Sequence, residues 1–158
     1  MEKAINDIMK KHLPDTADSP LPPDLMKLCL SYLVEVQKDY YHTSQLQSET
    51  PYVNGRIHGM RKRWYEMGQL KYEIPYIDGK LHGLRKSWYN IGQQLSEISY
   101  DCGKKNGVCK SWYVNGQLAS ETTWVNGKMH GTSKWWYDNG SCQHETTYIN
   151  GEEYGKFN

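Results

Sequence analysis

Phenylalanine is almost missing from this chain: Phe157 is the single example, beside thirteen tyrosines and six tryptophans in 158 residues. A large dry core draws on Phe, Leu and Ile. Tyr and Trp instead suit half-wet surfaces, where a ring packs while its polar atom meets water. The mean hydropathy of −0.85 agrees with a thin structure. Charge of one sign is lacking too. Five Lys against seven acids give −2 over residues 1–44, fourteen Lys or Arg against eleven acids give +3 over 45–158, and the total is +1. No bulk field therefore marks a nucleic acid or an anionic membrane as partner. No apolar run approaches the roughly 20 residues of a membrane span, and the opening MEKAINDIMKKH lacks the apolar core of a secretory signal. Cysteine is sparse: Cys29, Cys102, Cys109 and Cys142 form no C-x-x-C pair, which suits free thiols in a reducing compartment. These absences point to a soluble, intracellular, cytoplasmic protein. There is no Ser-His-Asp set, HExxH or glycine-rich phosphate loop. The expectation is a non-enzyme with no catalytic residue, no cofactor and no metal.

What the chain has is repetition. From Gln45 onward it repeats every 24 residues, as 45–68, 69–92, 93–116, 117–140 and a partial copy at 141–158. A fixed period of this size means one supersecondary unit stacked on copies of itself. Two turn signals alternate within each copy. One reads NGRIHG, DGKLHG, CGKKNG, NGKMHG or NGEEYG, and the other EMGQ, NIGQ, VNGQ or DNGS. Asn-Gly and Asp-Gly are the strongest short hairpin signals. The runs between them are rich in Thr, Tyr, Trp, Ile and Val, which fit pleated surfaces. Each copy is therefore predicted to be a β-hairpin, and the array a mainly β, single-layer antiparallel meander of nine or ten short strands.

A two-residue second loop, such as Asn115-Gly116, sets a register that pairs Lys62 with Glu73, Lys86 with Glu97, Lys110 with Glu121 and Lys134 with Glu145. A three-residue loop is expected to break it. Alternation then puts Trp64, Trp88, Trp112 and Trp136 on one face with those pairs and with Met60, Leu84 and Val108. Tyr65, Tyr89, Tyr113 and Tyr137, with Leu70, Ile74 and Ile98, fall on the other. So do Tyr52, Tyr76, Tyr100, Trp124 and Tyr148.

Residues 1–44 read as a helical N-terminal segment. Ile5, Ile8 and Met9 make a short apolar stripe. Leu25, Leu28, Cys29, Tyr32, Leu33 and Val36 make a clearer one, a helix around 22–37 that fades near Asp39. Pro22 and Pro23 fit its first turn. These short α-helices would cap the open edge of the first hairpin.

Two resemblances follow from these residues. Leu21, Pro22, Asp24, Leu25, Leu28, Ser31, Tyr32 and Leu33 resemble the opening of an F-box. That likeness implies docking to a Skp-type adaptor of a ubiquitin ligase, through Leu21, Pro22, Leu25, Leu28 and Leu33. Gln45 to Asn158 resembles MORN repeats of the variant type, with a Tyr-x-(Asn/Asp)-Gly-Lys-x-His-Gly loop and a Trp-Tyr-x-x-Gly ending. Copy three departs from it at Asp101-Cys102 and at Asn106, which replaces the usual His. The likeness implies a scaffold that binds proteins, with some members at membranes and some dimeric. An F-box-like segment ahead of MORN repeats is also similar to proteins of large DNA viruses.

Four groups were candidates for chemistry. His58, His82 and His130 share a loop phase, but copies about 10 Å apart cannot share one zinc, so a turn-stabilising role is expected. Arg56, Lys80, Lys104 and Lys128 form a basic column suited to an anionic lipid, interrupted by Glu152 and Glu153. Arg61, Lys62 and Arg63 beside Trp64 suggest nucleic acid, but later copies do not keep three charges, so no nucleic acid is expected. The column Trp64, Trp88, Trp112 and Trp136 is the candidate partner-binding surface. The expected function is a protein-binding scaffold, with an F-box-like adaptor and peripheral membrane association as alternatives, and edge strands open to homodimers.

Overall fold

Asn54 and Gly55 both take positive φ, 51° and 74°, and Val53 pairs with Arg56 across them. That is a two-residue type I′ turn, whose twist matches the right-handed twist of its flanking strands. The same signs recur at Asp78-Gly79, Cys102-Gly103, Asn126-Gly127 and Asn150-Gly151. Period 24 in the sequence is thus period 24 in the backbone.

The structure is a computed structural model that describes residues 34–154 and, apart from them, Asp24. The chain divides into two units, Met1–Glu35 and Val36–Asn158. The strands are β1 (Val34–Tyr40), which begins two residues before the second unit, β2 (Leu46–Val53), β3 (Arg56–Ile57), β4 (Gly59–Trp64), β5 (Leu70–Ile77), β6 (Lys80–Leu81) and β7 (Gly83–Trp88). They continue as β8 (Gln94–Asp101), β9 (Lys104–Lys105), β10 (Gly107–Trp112), β11 (Leu118–Val125), β12 (Lys128–Trp136), β13 (Cys142–Ile149) and β14 (Glu152–Tyr154). All belong to one sheet, with the main path β1-β2-β4-β5-β7-β8-β10-β11-β12-β13-β14; β3, β6 and β9 pair with β2, β5 and β8. Every pairing given by register is antiparallel, so the expected single-layer meander of hairpins is what the chain forms.

The N-terminal reading needs one correction. The helix expected at 2–12, and the one expected around 22–37 as far as Leu33, lie outside the described residues, except Asp24, which is helical. From Val34 the chain is strand, so the helix does not run through Val36 to Asp39. The reason is a repeat copy too worn to notice. Lys38, Tyr41 and Gln45 stand 24 residues before Lys62, Tyr65 and Gln69. Val34, Val36 and Tyr40 favour a pleated surface, and β2 supplies the hydrogen-bonding edge. The added β1 is one reason for fourteen strands instead of nine or ten. The other is that three arms break beside Gly59, Gly83 and Gly107, which have φ near 104° and split β3, β6 and β9 from the longer strands.

The second loop also differs from expectation, in a way that keeps the register. Gly116 N–H donates to Tyr113 O at 2.9 Å, and Tyr113 N–H donates to Gln117 O at 2.8 Å. The loop is therefore three residues, Val114, Asn115 and Gly116, with Gly116 at φ 85°. Trp112 faces Leu118, yet Ser111 faces Ser120 and Lys110 faces Glu121. Ala119 is left over as a β-bulge, and one extra residue cancels the other. Lys71, Leu95 and Gln143 do the same in their copies. The bulge also puts Leu70 opposite Trp64, not on the tyrosine side where alternation alone had placed it.

Burial is slight and one-sided. Among the described residues the buried ones are Ser48, Thr50, Ile74, Ser87, Cys109, Thr122 and Ser133, the last fully covered. All seven alternate with the Lys–Glu positions, so all lie on the face away from them. Most of these buried side chains are small, and on the same face Ser87 is bonded to Ser96 at 2.7 Å and Ser111 to Ser120 at 2.6 Å.

Candidate interaction surfaces

The ladder pairs expected in isolation join into one row. Glu49 faces Lys62, Lys62 faces Glu73, and Glu73 faces Lys86. Lys86 faces Glu97, Glu97 faces Lys110, Lys110 faces Glu121, and Glu121 faces Lys134, which faces Glu145. Lys38 bonds Glu49 at 3.1 Å, so the row begins on β1. Ten charges alternate in sign across the sheet. Direct contacts include 3.5 Å for Lys86–Glu97, 2.9 Å for Lys110–Glu121 and 3.1 Å for Lys134–Glu145. Each pair contributes about 0.2–1 kcal/mol, so the row matters more for choosing register than for stability. The Glu49 carboxylate holds the Lys38 ammonium above its ordinary pKa.

Two rows flank the charges on the same face. On one side stand Val36, Met60, Leu84 and Val108, all exposed, at 49%, 40%, 39% and 44%. On the other stand Tyr40 and the column Trp64, Trp88, Trp112 and Trp136. Those tryptophans are half-buried. Their main-chain carbonyls are taken: Tyr41, Tyr65, Tyr89 and Tyr113 each donate a hydroxyl to the next copy's Trp carbonyl, at 2.7–2.9 Å. The face is thus pinned copy to copy while its aliphatic row and ring edges stay open to water.

The opposite face carries cations at one end and a shallow cleft at the other. Arg61, Arg63 and Arg85 share it with Tyr72. Toward β11 and β12 a cleft of about 220 Å³ is lined by Ile98, Cys109, Ser120, Thr122, Trp124 and Trp135, among others. Lys105 Nζ stands 4.4 Å from the Trp124 ring centre, and Trp135 stacks obliquely on His144 at 5.5 Å. Burial pushes the Cys109 thiol above its ordinary pKa. At β1 the Ser48 hydroxyl, 2.6 Å from Asp39, holds that carboxyl below the usual carboxylate range, with Gln37 adding to the effect.

The tips of the first turns form a third surface. Gly79, Gly103, Gly127 and Gly151 each donate to a carbonyl of the preceding copy, at 2.7–2.8 Å. Two of the three loop histidines join this stacking. His58 Nδ1 is 3.3 Å from Asp78 Oδ1 in the next copy, and His82 Nδ1 is 3.2 Å from Asp101 Oδ1. Asn106, at the histidine phase, accepts from Asn126 N–H at 3.4 Å. Arg56, Lys80, Lys104 and Lys128 line the tips and are exposed, as are Ile77, Val125 and Ile149 beside them. Leu21, Pro22, Leu25, Leu28 and Leu33 lie outside the described residues. Among the described residues no helix is long and apolar enough to cross a membrane.

A single sheet of stacked hairpins, pinned by one tyrosine and one turn glycine per copy, defines a solenoid-type repeat protein. The profile of the MORN repeat variant matches residues 36–54, 57–78, 105–126 and 129–150, more than half of the chain. The chain belongs to the MORN repeat variant family, whose repeats are generally protein- or membrane-interaction modules. The first match begins at residue 36 and so includes the worn copy on β1. No curated protein matches the chain. Among solved structures, it is similar to a mutant of S. aureus TarM in complex with Fondaparinux, alpha-GlcNAc-glycerol and UDP. The identity is 10%, the TM-score 0.39, and the match covers 96% of this chain and 26% of that one. It is also similar to a Glycosylation Associate Protein complex from Streptococcus agalactiae, at 12% identity and TM-score 0.38, covering 83% of this chain and 23% of that one. Likenesses this distant carry no argument about function.

Proposed function

We propose that this protein is a non-enzymatic intracellular scaffold that docks a protein partner on the face bearing the charge row. The observation that carries this is the unequal finish of the two faces. The buried small residues all lie on the opposite face, whereas this one leaves Met60, Leu84 and Val108 exposed in line. Flanking tryptophans and alternating charges suit a hot-spot core with a polar frame. Trp64, Trp88, Trp112 and Trp136 supply ring edges to the contact. The test is affinity capture from the native cell with the intact chain, against a Leu84→Asp, Trp88→Ala variant shown by circular dichroism to keep its sheet. Loss of one reproducible partner supports the reading. Equal capture by both proteins sinks it.

A second reading rests on the turn tips, where Lys80 and Lys128 stand beside exposed Ile77 and Val125. Basic and apolar side chains together suit an anionic bilayer surface. Flotation with vesicles containing phosphatidylserine, lost on Lys80→Glu with Lys128→Glu, supports it. Flotation that ignores anionic lipid excludes it. The F-box-like alternative rests on the Leu21–Leu33 stretch alone. Binding of a Skp-type adaptor that is lost on Leu25→Asp with Leu28→Asp supports it, and no binding by the intact chain removes it.

A further inference from the structure

The first turn of copy three breaks the pattern at two adjacent positions. Where other copies have Val53-Asn54, Ile77-Asp78, Val125-Asn126 and Ile149-Asn150, this one has Asp101-Cys102. Neither change helps the turn. Cys102 sits at φ 47°, a left-handed conformation that suits Asn and Asp far better. Asp101 puts a carboxylate where the others put an aliphatic side chain. The stretch 79–104 is also the longest gap between family matches.

Both changes face the same neighbour. His82 of the preceding copy stands against this turn, its Nδ1 3.2 Å from Asp101 Oδ1. One ligand atom from each of His82, Asp101 and Cys102 lies within 4.8 Å of the other two. Among the described residues this is the one such group of three. The imidazole and the carboxylate are half exposed, at 43% and 54%, and the thiol is free and exposed.

We propose that His82, Asp101 and Cys102 form a zinc site, with water as fourth ligand. The donor set selects the metal: a thiolate disfavours magnesium and calcium, while mixed nitrogen, sulfur and oxygen ligation suits zinc. Tetrahedral zinc at its usual bond lengths needs ligand atoms roughly 3.3–3.8 Å apart. The cluster must close by about 1 Å, within reach of rotamer changes on exposed side chains. Binding replaces the thiol proton of Cys102, which leaves to solvent. Lys104, opposite Asp101 across the turn, competes for the carboxylate. Three exposed ligands with an open position imply a site of modest affinity that ties the tips of copies two and three together. The column His58, His82 and His130 spans different copies and holds no such set; the site joins one histidine to the next copy's turn.

The test uses the full chain, reduced and freed of metal, titrated with cobalt(II) as a spectroscopic probe and then with zinc. The expected result is a 1:1 thiolate-to-cobalt charge-transfer band that zinc bleaches. Cys102→Ser abolishes the band, and His82→Asn or Asp101→Asn weakens binding at least tenfold. Cys142→Ser leaves it unchanged. The double variant Asp101→Val, Cys102→Asn recreates the Val125-Asn126 turn, so it should fold and bind no cobalt. A folded, reduced wild type without the band overturns the proposal, and so does a band that survives Cys102→Ser.

Discussion

The phenolic hydroxyl of Tyr65 donates to the main-chain carbonyl of Trp88, 2.9 Å away and 23 residues along the chain. One copy's loop thereby holds the next copy's strand end. The contact recurs at Tyr41–Trp64, Tyr89–Trp112 and Tyr113–Trp136. A half-buried carbonyl would otherwise rely on water at that point. A net hydrogen bond of this kind is worth about 0.5–1.5 kcal/mol. Tyr89→Phe should therefore lower unfolding stability by about 1 kcal/mol in urea, with the far-ultraviolet spectrum unchanged. Tyr89→Ala should cost more, because the ring's packing goes too. No change in midpoint for Tyr89→Phe would mean that the bond does not tie the copies.

Lys86 faces two rungs, Glu73 and Glu97. For an isolated ion pair, exchanging Lys86→Glu with Glu97→Lys should restore stability. In a continuous row the exchange sets Glu against Glu73 and Lys against Lys110. The double variant should thus stay destabilised relative to wild type, on the order of 1 kcal/mol at low salt. High salt should shrink the gap, because these charges are partly solvated. Full rescue by the double exchange at low salt would show that the row acts as separate pairs.

Acid should weaken the contact between β1 and β2 as Asp39 takes up its proton. Asp39 has its pKa lowered by the Ser48 hydroxyl, so its contribution is present above the ordinary carboxylate range. It fades as pH falls through the lowered folded value. Ser48→Ala should move the Asp39 titration, followed by NMR, back up toward that ordinary range. An unchanged Asp39 titration in Ser48→Ala would contradict the assignment.

Thiol reactivity should separate the cysteines. Cys102 and Cys142 are exposed, whereas Cys109 is buried and its thiol pKa is raised by that burial. Under native conditions, alkylation mapped by mass spectrometry should reach Cys102 and Cys142 first, with Cys109 slower by at least tenfold. Urea should abolish the difference. Equal native rates would place Cys109 at the surface.

The repeat, its hairpins and the Lys–Glu register were legible because a local device fixes each of them. Asn-Gly and Asp-Gly choose the turn, and a turn fixes which residues face one another. The worn copy on β1 was not legible. Val36 also continues the helical stripe of Leu25, Leu28, Cys29, Tyr32 and Leu33, and short apolar segments do not reveal their period alone. Nor was the three-residue loop legible. A loop one residue longer and a bulge at Ala119 cancel in the register, so the pairing of Lys110 with Glu121 is the same with both or with neither.

Backbone preference, acting within a few residues, made this chain a ribbon of hairpins, and the sequence alone determined that much. Contacts between copies were settled only in the folded sheet: ten charges in one row, tyrosine hydroxyls on the next copy's carbonyls, His82 against Asp101 and Cys102. Such contacts join residues 11 to 23 positions apart, and their geometry depends on the twist and stagger of stacked strands, which no single copy encodes.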